Sequence, residues 1–158
     1  MTSSWQPRRA LEGVLADAAA YTEARPEAPE GWFLLGRVHH DLGDEAAAAA
    51  AFRAVLERDP VHFGALTSLA LALAAQGMRA DACELFEAAL LINPEHPVAL
   101  VNVANAVVLD DPERAEALYD AALQLEPNLA EAHQGLTGLY AMLGDRERAA
   151  RHRDRGFG

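Results

Sequence analysis

The sequence predicts an all-α fold, a solenoid in which antiparallel helix hairpins stack on one another. Pro26, Pro60 and Pro94 lie 34 residues apart, and Pro127 follows 33 residues later. A period of this length is typical of repeats made of two helices. Apolar residues make up 51% of the 158 and aromatic residues only 6%. With alanine abundant, this composition favours closely packed helices over strands.

The first predicted helix runs through Arg25, and four hairpins follow it. Its apolar face consists of Leu11, Val14, Leu15, Ala18 and Tyr21. The first helices of the hairpins are predicted at 31–42, 62–76, 97–109 and 129–143, and the second helices at 45–58, 79–92, 112–125 and 146–155. The chain is thus predicted to be one domain with five segments. These are an N-terminal packing helix (1–28), three full repeats (29–62, 63–96 and 97–129) and a truncated capping repeat (130–158).

The turns inside the hairpins carry residues that end one helix and begin the next. Glycines that can adopt the left-handed, helix-ending conformation are Gly43, Gly77 and Gly144. Aspartates placed to cap the following helix are Asp44, Asp111 and Asp145. Such short turns predict that the two helices of each hairpin are antiparallel.

The alternation of large and small residues resembles the tetratricopeptide repeat family, whose pattern includes Trp and Leu-Gly on the first helix and Ala, Phe and Pro on the second. The first full repeat matches at Trp32, Leu35, Gly36, Ala48, Phe52 and Pro60. The resemblance covers residues 29–155 and implies a right-handed α-solenoid. The residues that it assigns to packing between helices are Trp32, Gly36, Ala48, Phe52, Ala82, Phe86, Ala115 and Tyr119.

The resemblance also implies that the first helices line a concave groove, the usual recognition surface of such proteins. In this register the groove residues include Leu34, Arg37, His40, Asp41, Thr67, Ser68, Leu71, Val101, Asn102, Asn105, Gln134 and Gly138. Asn102 and Asn105 are one turn apart, and their amides can bind a peptide backbone. Members that clamp a carboxylate-terminated peptide use lysines, asparagines and an arginine at five places, and of the residues at those places here only Arg37 and Asn102 offer comparable chemistry. The other three are Phe33, Ser68 and Val98. A clamp of that kind is not expected.

We therefore expect a non-enzymatic protein–protein interaction module, an adaptor or scaffold that binds a peptide or helix of a partner protein in its groove. Two other roles stay open, a small dedicated chaperone for a secreted or assembly-bound protein and a structural subunit of a larger complex. The polar groove residues could also be solvated positions on a scaffold that is used elsewhere.

The net charge of −11 is unevenly distributed, and all 13 basic residues are arginine. The segment from Arg79 to Glu131 contains eleven acidic residues and only two arginines. This excess of negative charge argues against nucleic acid as a partner. The final helix carries Arg146, Arg148, Arg151, Arg153 and Arg155. It is typical of a polar capping helix. Alternatively it binds an acidic partner or the acidic middle of another copy, giving weak self-association.

Several classes of protein are not expected from this sequence. No apolar run suits a membrane span or a signal peptide, so we expect a cytoplasmic protein without a membrane partner, and the lysine-free, alanine-rich composition suggests a bacterial source. His39 and His40 are adjacent and diverge on a helix, and Cys83 is the single cysteine. With no phosphate loop or catalytic motif either, we expect no metal, no cofactor and no enzymatic activity.

The remaining histidines follow the repeat pattern. His62 and His96 occupy equivalent loop positions, His133 replaces the bulky residue of the seam, and His152 lies among arginines. We expect structural or surface roles for all of them.

Overall fold

The computed structural model describes residues 5–156, with side chains from Pro7 onward. Over this range the chain forms nine α-helices and no strand, so the all-α prediction is confirmed. The helices are α1 (Trp5–Ala24), α2 (Pro29–Asp41), α3 (Glu45–Arg58), α4 (Phe63–Ala75), α5 (Arg79–Ile92), α6 (Pro97–Val107), α7 (Pro112–Leu125), α8 (Ala130–Met142) and α9 (Arg146–Gly156). The chain divides within α5 into two compact units, Met1–Leu85 and Phe86–Gly158. The predicted repeat boundaries stay a prediction.

The ends of most helices lie within one residue of the predicted positions, and two differ by more. Helix α2 begins at Pro29 instead of 31, because proline suits the first turn of a helix, where no backbone donor is needed. Helix α6 ends at Val107, two residues early. The α6–α7 turn has no glycine, and the Val107 carbonyl accepts from the backbone N–H groups of Asp110 (3.0 Å) and Asp111 (2.7 Å).

The predicted turn chemistry is confirmed. Gly43, Gly77 and Gly144 have φ angles of 81°, 81° and 77°. The three aspartates each accept a hydrogen bond from the backbone three residues later, at 3.0 Å for Asp44, 3.0 Å for Asp111 and 2.9 Å for Asp145. His62 and His96 cap α4 and α6 in the same manner, with Nδ1 accepting from the N–H of Ala65 (3.0 Å) and of Ala99 (3.2 Å). Sequence reasoning gave these histidines only a place in the repeat register.

We expect Asp111→Ala to lower the free energy of unfolding by about 0.5–2 kcal/mol, because the variant leaves the first turn of α7 without its acceptor. Urea denaturation followed by circular dichroism measures the change. Asp110→Ala is the matched control, since Asp110 is exposed and lies one residue before the cap. Equal losses in the two variants would contradict the capping role.

In the unit Met1–Leu85, α1 packs on α2, α2 on α3, and α3 on α4. Helix α1 buries Ala18, whereas Val14 and Tyr21 on its predicted apolar face are exposed. Of the predicted packing residues, Gly36, Ala48, Phe52 and Ala82 are buried and Trp32 is half-buried. The Trp32 indole donates from Nε1 to the Pro26 carbonyl at 2.9 Å, and the Arg58 guanidinium lies 4.9 Å from its ring centre.

In the unit Phe86–Gly158, α6 packs on α7, α7 on α8, and α8 on α9. The remaining predicted packing residues, Phe86, Ala115 and Tyr119, are buried. The core of this unit includes Tyr119, Leu136, Leu139, Tyr140 and Ala149. Helix α9 therefore contributes to the core and is not a purely polar cap.

Candidate functional site

A surface pocket of about 220 Å³ lies between α2, α3 and α4 in the unit Met1–Leu85. Its lining residues are Arg37, His40, Asp41, Phe52, Ser68 and Leu71. All of them except Phe52 are among the positions that the sequence register places in or beside the groove. Phe52, which the register assigns to packing, forms the buried wall of the pocket.

Small residues bring the three helices close enough to form this pocket. A Cβ atom on Gly36 would lie 2.5 Å from Cε1 of Phe52, so only glycine leaves room for that ring. A Cβ atom on Gly64 would lie 3.0 Å from Cζ of Phe33, which brings α4 close to α2. The pocket-lining side chains of α2 lie on one face of α2, and those of α4 lie on one face of α4, because residues three and four apart are neighbours on a helix.

The pocket combines apolar surface with a cation that has no partner in the described structure. Leu71 is 45% exposed, and Leu34, one turn before Arg37 on α2, is 42% exposed. Within residues 5–156, the Arg37 guanidinium has neither a hydrogen bond nor an ion pair. The Nδ1 atom of His40, in contrast, lies 2.9 Å from Oε1 of Glu45. The Arg37 donors are thus available to a ligand, whereas His40 already has a partner.

Sequence reasoning missed one lining residue of this site, Phe52, which the register assigns to packing alone. It also missed Glu45, which does not line the pocket but is the partner of His40. The spacing of His40 and Glu45, five residues apart across the Gly43 turn, is the signal that could have indicated their contact. Thr67 has its hydroxyl bound to the carbonyls of Phe63 and Gly64, both at 3.1 Å, which lowers its value for recognition.

The groove positions predicted in the unit Phe86–Gly158 are mostly used by the fold itself. Val101 is 3% exposed and belongs to the core, so its assignment to the groove is corrected. Asn105 accepts at Oδ1 from the Tyr119 hydroxyl at 2.6 Å, because a buried hydroxyl needs a partner. Burial raises the pKa of Tyr119 to about 12. Gln134 donates from Nε2 to the Gly156 carbonyl at 2.6 Å.

Asn102 and Gly138 complete the predicted groove set. Asn102 is half-buried on α6, and Gly138 is exposed on α8 with open space where a Cβ atom would stand. The described residues therefore bring Arg37, His40, Ser68 and Leu71 together at one pocket, whereas the amides of Asn105 and Gln134 hold helices of their own unit.

Neither a metal-binding cluster nor a membrane-spanning helix is present in residues 5–156. No three histidine, cysteine, aspartate or glutamate side chains are grouped so that they could hold a metal ion. None of the helices in this range combines the length and the apolar character needed to cross a membrane.

Among proteins of known sequence, this chain is similar to peroxisome biogenesis protein 5 of Arabidopsis thaliana. The two are 31% identical over 143 residues, which make up 87% of this chain and 19% of that protein. It is also 43% identical to the Hsp70-Hsp90 organizing protein of Triticum aestivum over 57 residues, 36% of this chain and 10% of that protein. The chain thus spans less than a fifth of either relative.

Among solved structures, the fold is similar to that of MamA from Desulfovibrio magneticus RS-1, with a TM-score of 0.87 and 23% identity over 96% of this chain and 86% of that one. It is also similar to YrrB, described as a TPR protein with an unusual peptide-binding site, with a TM-score of 0.80 and 19% identity over 94% of this chain and 77% of that one. These likenesses confirm the predicted fold class, an all-α solenoid of TPR-like hairpins.

The family model described as tetratricopeptide repeat matches residues 8–62 and 41–99, which together cover more than half of the chain. Proteins of this family mediate protein–protein interactions. The chain belongs to the tetratricopeptide repeat family.

Proposed function

We propose that this protein is a non-enzymatic adaptor that binds a peptide or helix of a partner protein on the face formed by α2 and α4. The observation that carries the proposal is the pocket, where Arg37, which has no partner among residues 7–156, and exposed Leu71 are both lining residues. A fold relative, YrrB, is described as having a peptide-binding site, which supports a peptide as the ligand class.

The size and chemistry of the pocket favour a side chain of a protein over a small molecule. Its volume of about 220 Å³ is below the roughly 300–1,000 Å³ of typical small-molecule sites. An apolar side chain of the partner would contact Phe52 and Leu71, while the Arg37 guanidinium would bind a carboxylate or a backbone carbonyl of the partner. A charge-assisted hydrogen bond of that kind contributes about 1.5–3 kcal/mol.

A photoreactive amino acid at position 34 tests the proposal in a lysate of the source cell. Leu34 is exposed one turn before Arg37 on α2 and is not a lining residue, so the label should capture whatever occupies the site. The captured protein is then purified, and its affinity is measured for the wild type, Leu71→Glu, Arg37→Ala and Val61→Glu. Val61 is the matched control, because it is exposed, apolar and in the same unit but outside the pocket.

We expect Leu71→Glu and Arg37→Ala each to weaken binding about tenfold or more, the effect of roughly 1.4 kcal/mol. Val61→Glu should bind like the wild type, and circular dichroism should show the same helix content in all variants. Unchanged affinity in both pocket variants would reject the site. A cytoplasmic location and the exclusion of nucleic acid and membranes as partners stay predictions from composition.

A further inference from the structure

Two histidines form a buried contact between α8 and α9, the last hairpin of the unit Phe86–Gly158. His133 on α8 is 2% exposed, and its Nδ1 atom lies 2.9 Å from Nδ1 of His152 on α9. The two ring centres are 5.2 Å apart, and the Tyr140 ring lies 5.7 Å from that of His152. Part of the interface that holds α9 is therefore titratable.

The geometry determines where the protons are. Nε2 of His133 lies 2.9 Å from the Pro127 carbonyl oxygen, which can only accept, so Nε2 carries a proton. In a neutral imidazole the other nitrogen is then an acceptor. His152 must donate from its Nδ1 to Nδ1 of His133. One proton fits between the two Nδ1 atoms, and charging both rings would place two N–H groups against each other.

Groups on three helices surround His152, and their charges do not cancel. Burial lowers the pKa of His152, and His133 on α8 and Arg155 and Arg151 on α9 lower it further, whereas Asp120 on α7 opposes them. Asp120 is itself harder to ionise, because burial and neighbouring Glu116 raise its pKa.

The other nearby carboxylate is already engaged. Oε1 of Glu116 accepts from the Tyr140 hydroxyl at 2.7 Å and from Nη1 of Arg148 at 3.2 Å. The Arg148 guanidinium also lies 4.3 Å from the centre of the Tyr140 ring. Burial and Glu116 raise the pKa of Tyr140 to about 12, so this group stays neutral over the range in which histidines titrate.

We propose that the His133–His152 contact is a pH-operated latch, which holds α9 on α8 while at most one ring is charged and releases it when both are. The latch lies in the unit Phe86–Gly158, and the pocket lies in the unit Met1–Leu85. Its release would expose the Tyr140 ring, a core side chain that His152 and Arg148 of α9 contact.

The direction of the pH effect follows from proton counting. Detached from each other, the two imidazoles can each take up a proton, so the detached form binds up to two. Docked, the pair accepts at most one. The detached form binds more protons at low pH, so docking is fully favoured above about pH 6.5 and is progressively lost as the pH falls below it. An excess of one proton raises the detachment equilibrium about tenfold between pH 7.5 and 5.5. The rise is larger still because docking lowers the pKa of His152, so tenfold is the minimum.

Hydrogen exchange with mass spectrometry on the full chain tests this at the two pH values, after correction for intrinsic exchange rates. We expect the amides of α9 to lose protection at least about tenfold at pH 5.5. The comparison variant is the double substitution His133→Leu with His152→Leu, because the second and third repeats have leucine at both equivalent positions. Leu66 and Leu100 correspond to His133, and Leu85 and Leu118 correspond to His152. Its α9 protection should be the same at both pH values.

Hydrogen exchange is measured separately for each proteolytic peptide. The signal of α9 is therefore distinct from any effect at the capping histidines His62 and His96, which lie on other peptides. Equal α9 protection of the wild type at both pH values would overturn the proposal, as would an equal loss in the double variant. Nitrogen NMR of the imidazoles at pH 7.5 tests it without any substitution. The expected forms are Nε2–H for His133 and Nδ1–H for His152, and the opposite tautomers would also overturn it.

Discussion

Phe52→Ala is expected to lower the free energy of unfolding by about 3–5 kcal/mol, the usual cost of removing a buried aromatic ring. The Phe52 ring is buried, packs against Gly36 and lies 5.8 Å from the centre of the Phe33 ring. Its removal would leave a cavity beside a glycine, which has no side chain to fill it. Urea denaturation followed by circular dichroism gives the free energy.

The contact between Phe52 and Gly36 provides an internal control. Gly36→Ala alone should destabilise, because its Cβ atom would lie 2.5–2.9 Å from three atoms of the ring. In combination with Phe52→Leu, part of that loss should be recovered, and the double-mutant cycle measures the recovery. A Phe52→Ala variant within about 1 kcal/mol of the wild type would contradict the cavity argument.

Gly135→Ala is expected to destabilise the protein through a clash with Tyr119. A Cβ atom at Gly135 would fall inside the contact distance of the Tyr119 ring and 2.8 Å from its hydroxyl oxygen. The ring cannot move aside easily, since it is buried and its hydroxyl is bound to Asn105. Overpacking of this kind costs about 1–3 kcal/mol. Thermal and urea unfolding measure it.

Gly138→Ala in the same helix is the matched control. A Cβ atom there meets nothing within 4 Å, so the variant should gain about 0.5–1 kcal/mol from the better helix propensity of alanine. Because both variants share that gain, their difference isolates the clash. The absence of a difference would show that Tyr119 does not confine α8 at Gly135.

The order and most of the ends of the helices could be predicted because their signals are local. Gly43 and Asp44 end one helix and cap the next within two residues, and the same pair of functions recurs at Gly144 and Asp145. The end of α6 could not be predicted in this way. Its repeat is one residue shorter than the two before it, and its turn has no glycine. Tertiary packing and the backbone hydrogen bonds of the turn therefore determine where the helix ends.

The site could be predicted only in part, because a repeat register gives the face of a residue and not its partners. For Arg37 and Leu71 the face was sufficient, and both line the pocket. For Asn105 and Gln134 it was not, because Tyr119 on another helix and Gly156 at the end of α9 bind their amides. Val101 shows the remaining error. Residues on one face of a packed helix range from exposed to buried, and their residue types do not reveal which of them are buried.

The two rings six residues after Pro26 and Pro127 have an implication for counting repeats. Trp32 and His133 differ in size and charge, yet each donates one N–H to the carbonyl of its proline at 2.9 Å. His133 lies outside the family match, which ends at residue 99, yet it makes the same hydrogen bond as Trp32 inside the match. In this chain the first and last hairpins therefore share a backbone contact that their residue types alone do not reveal.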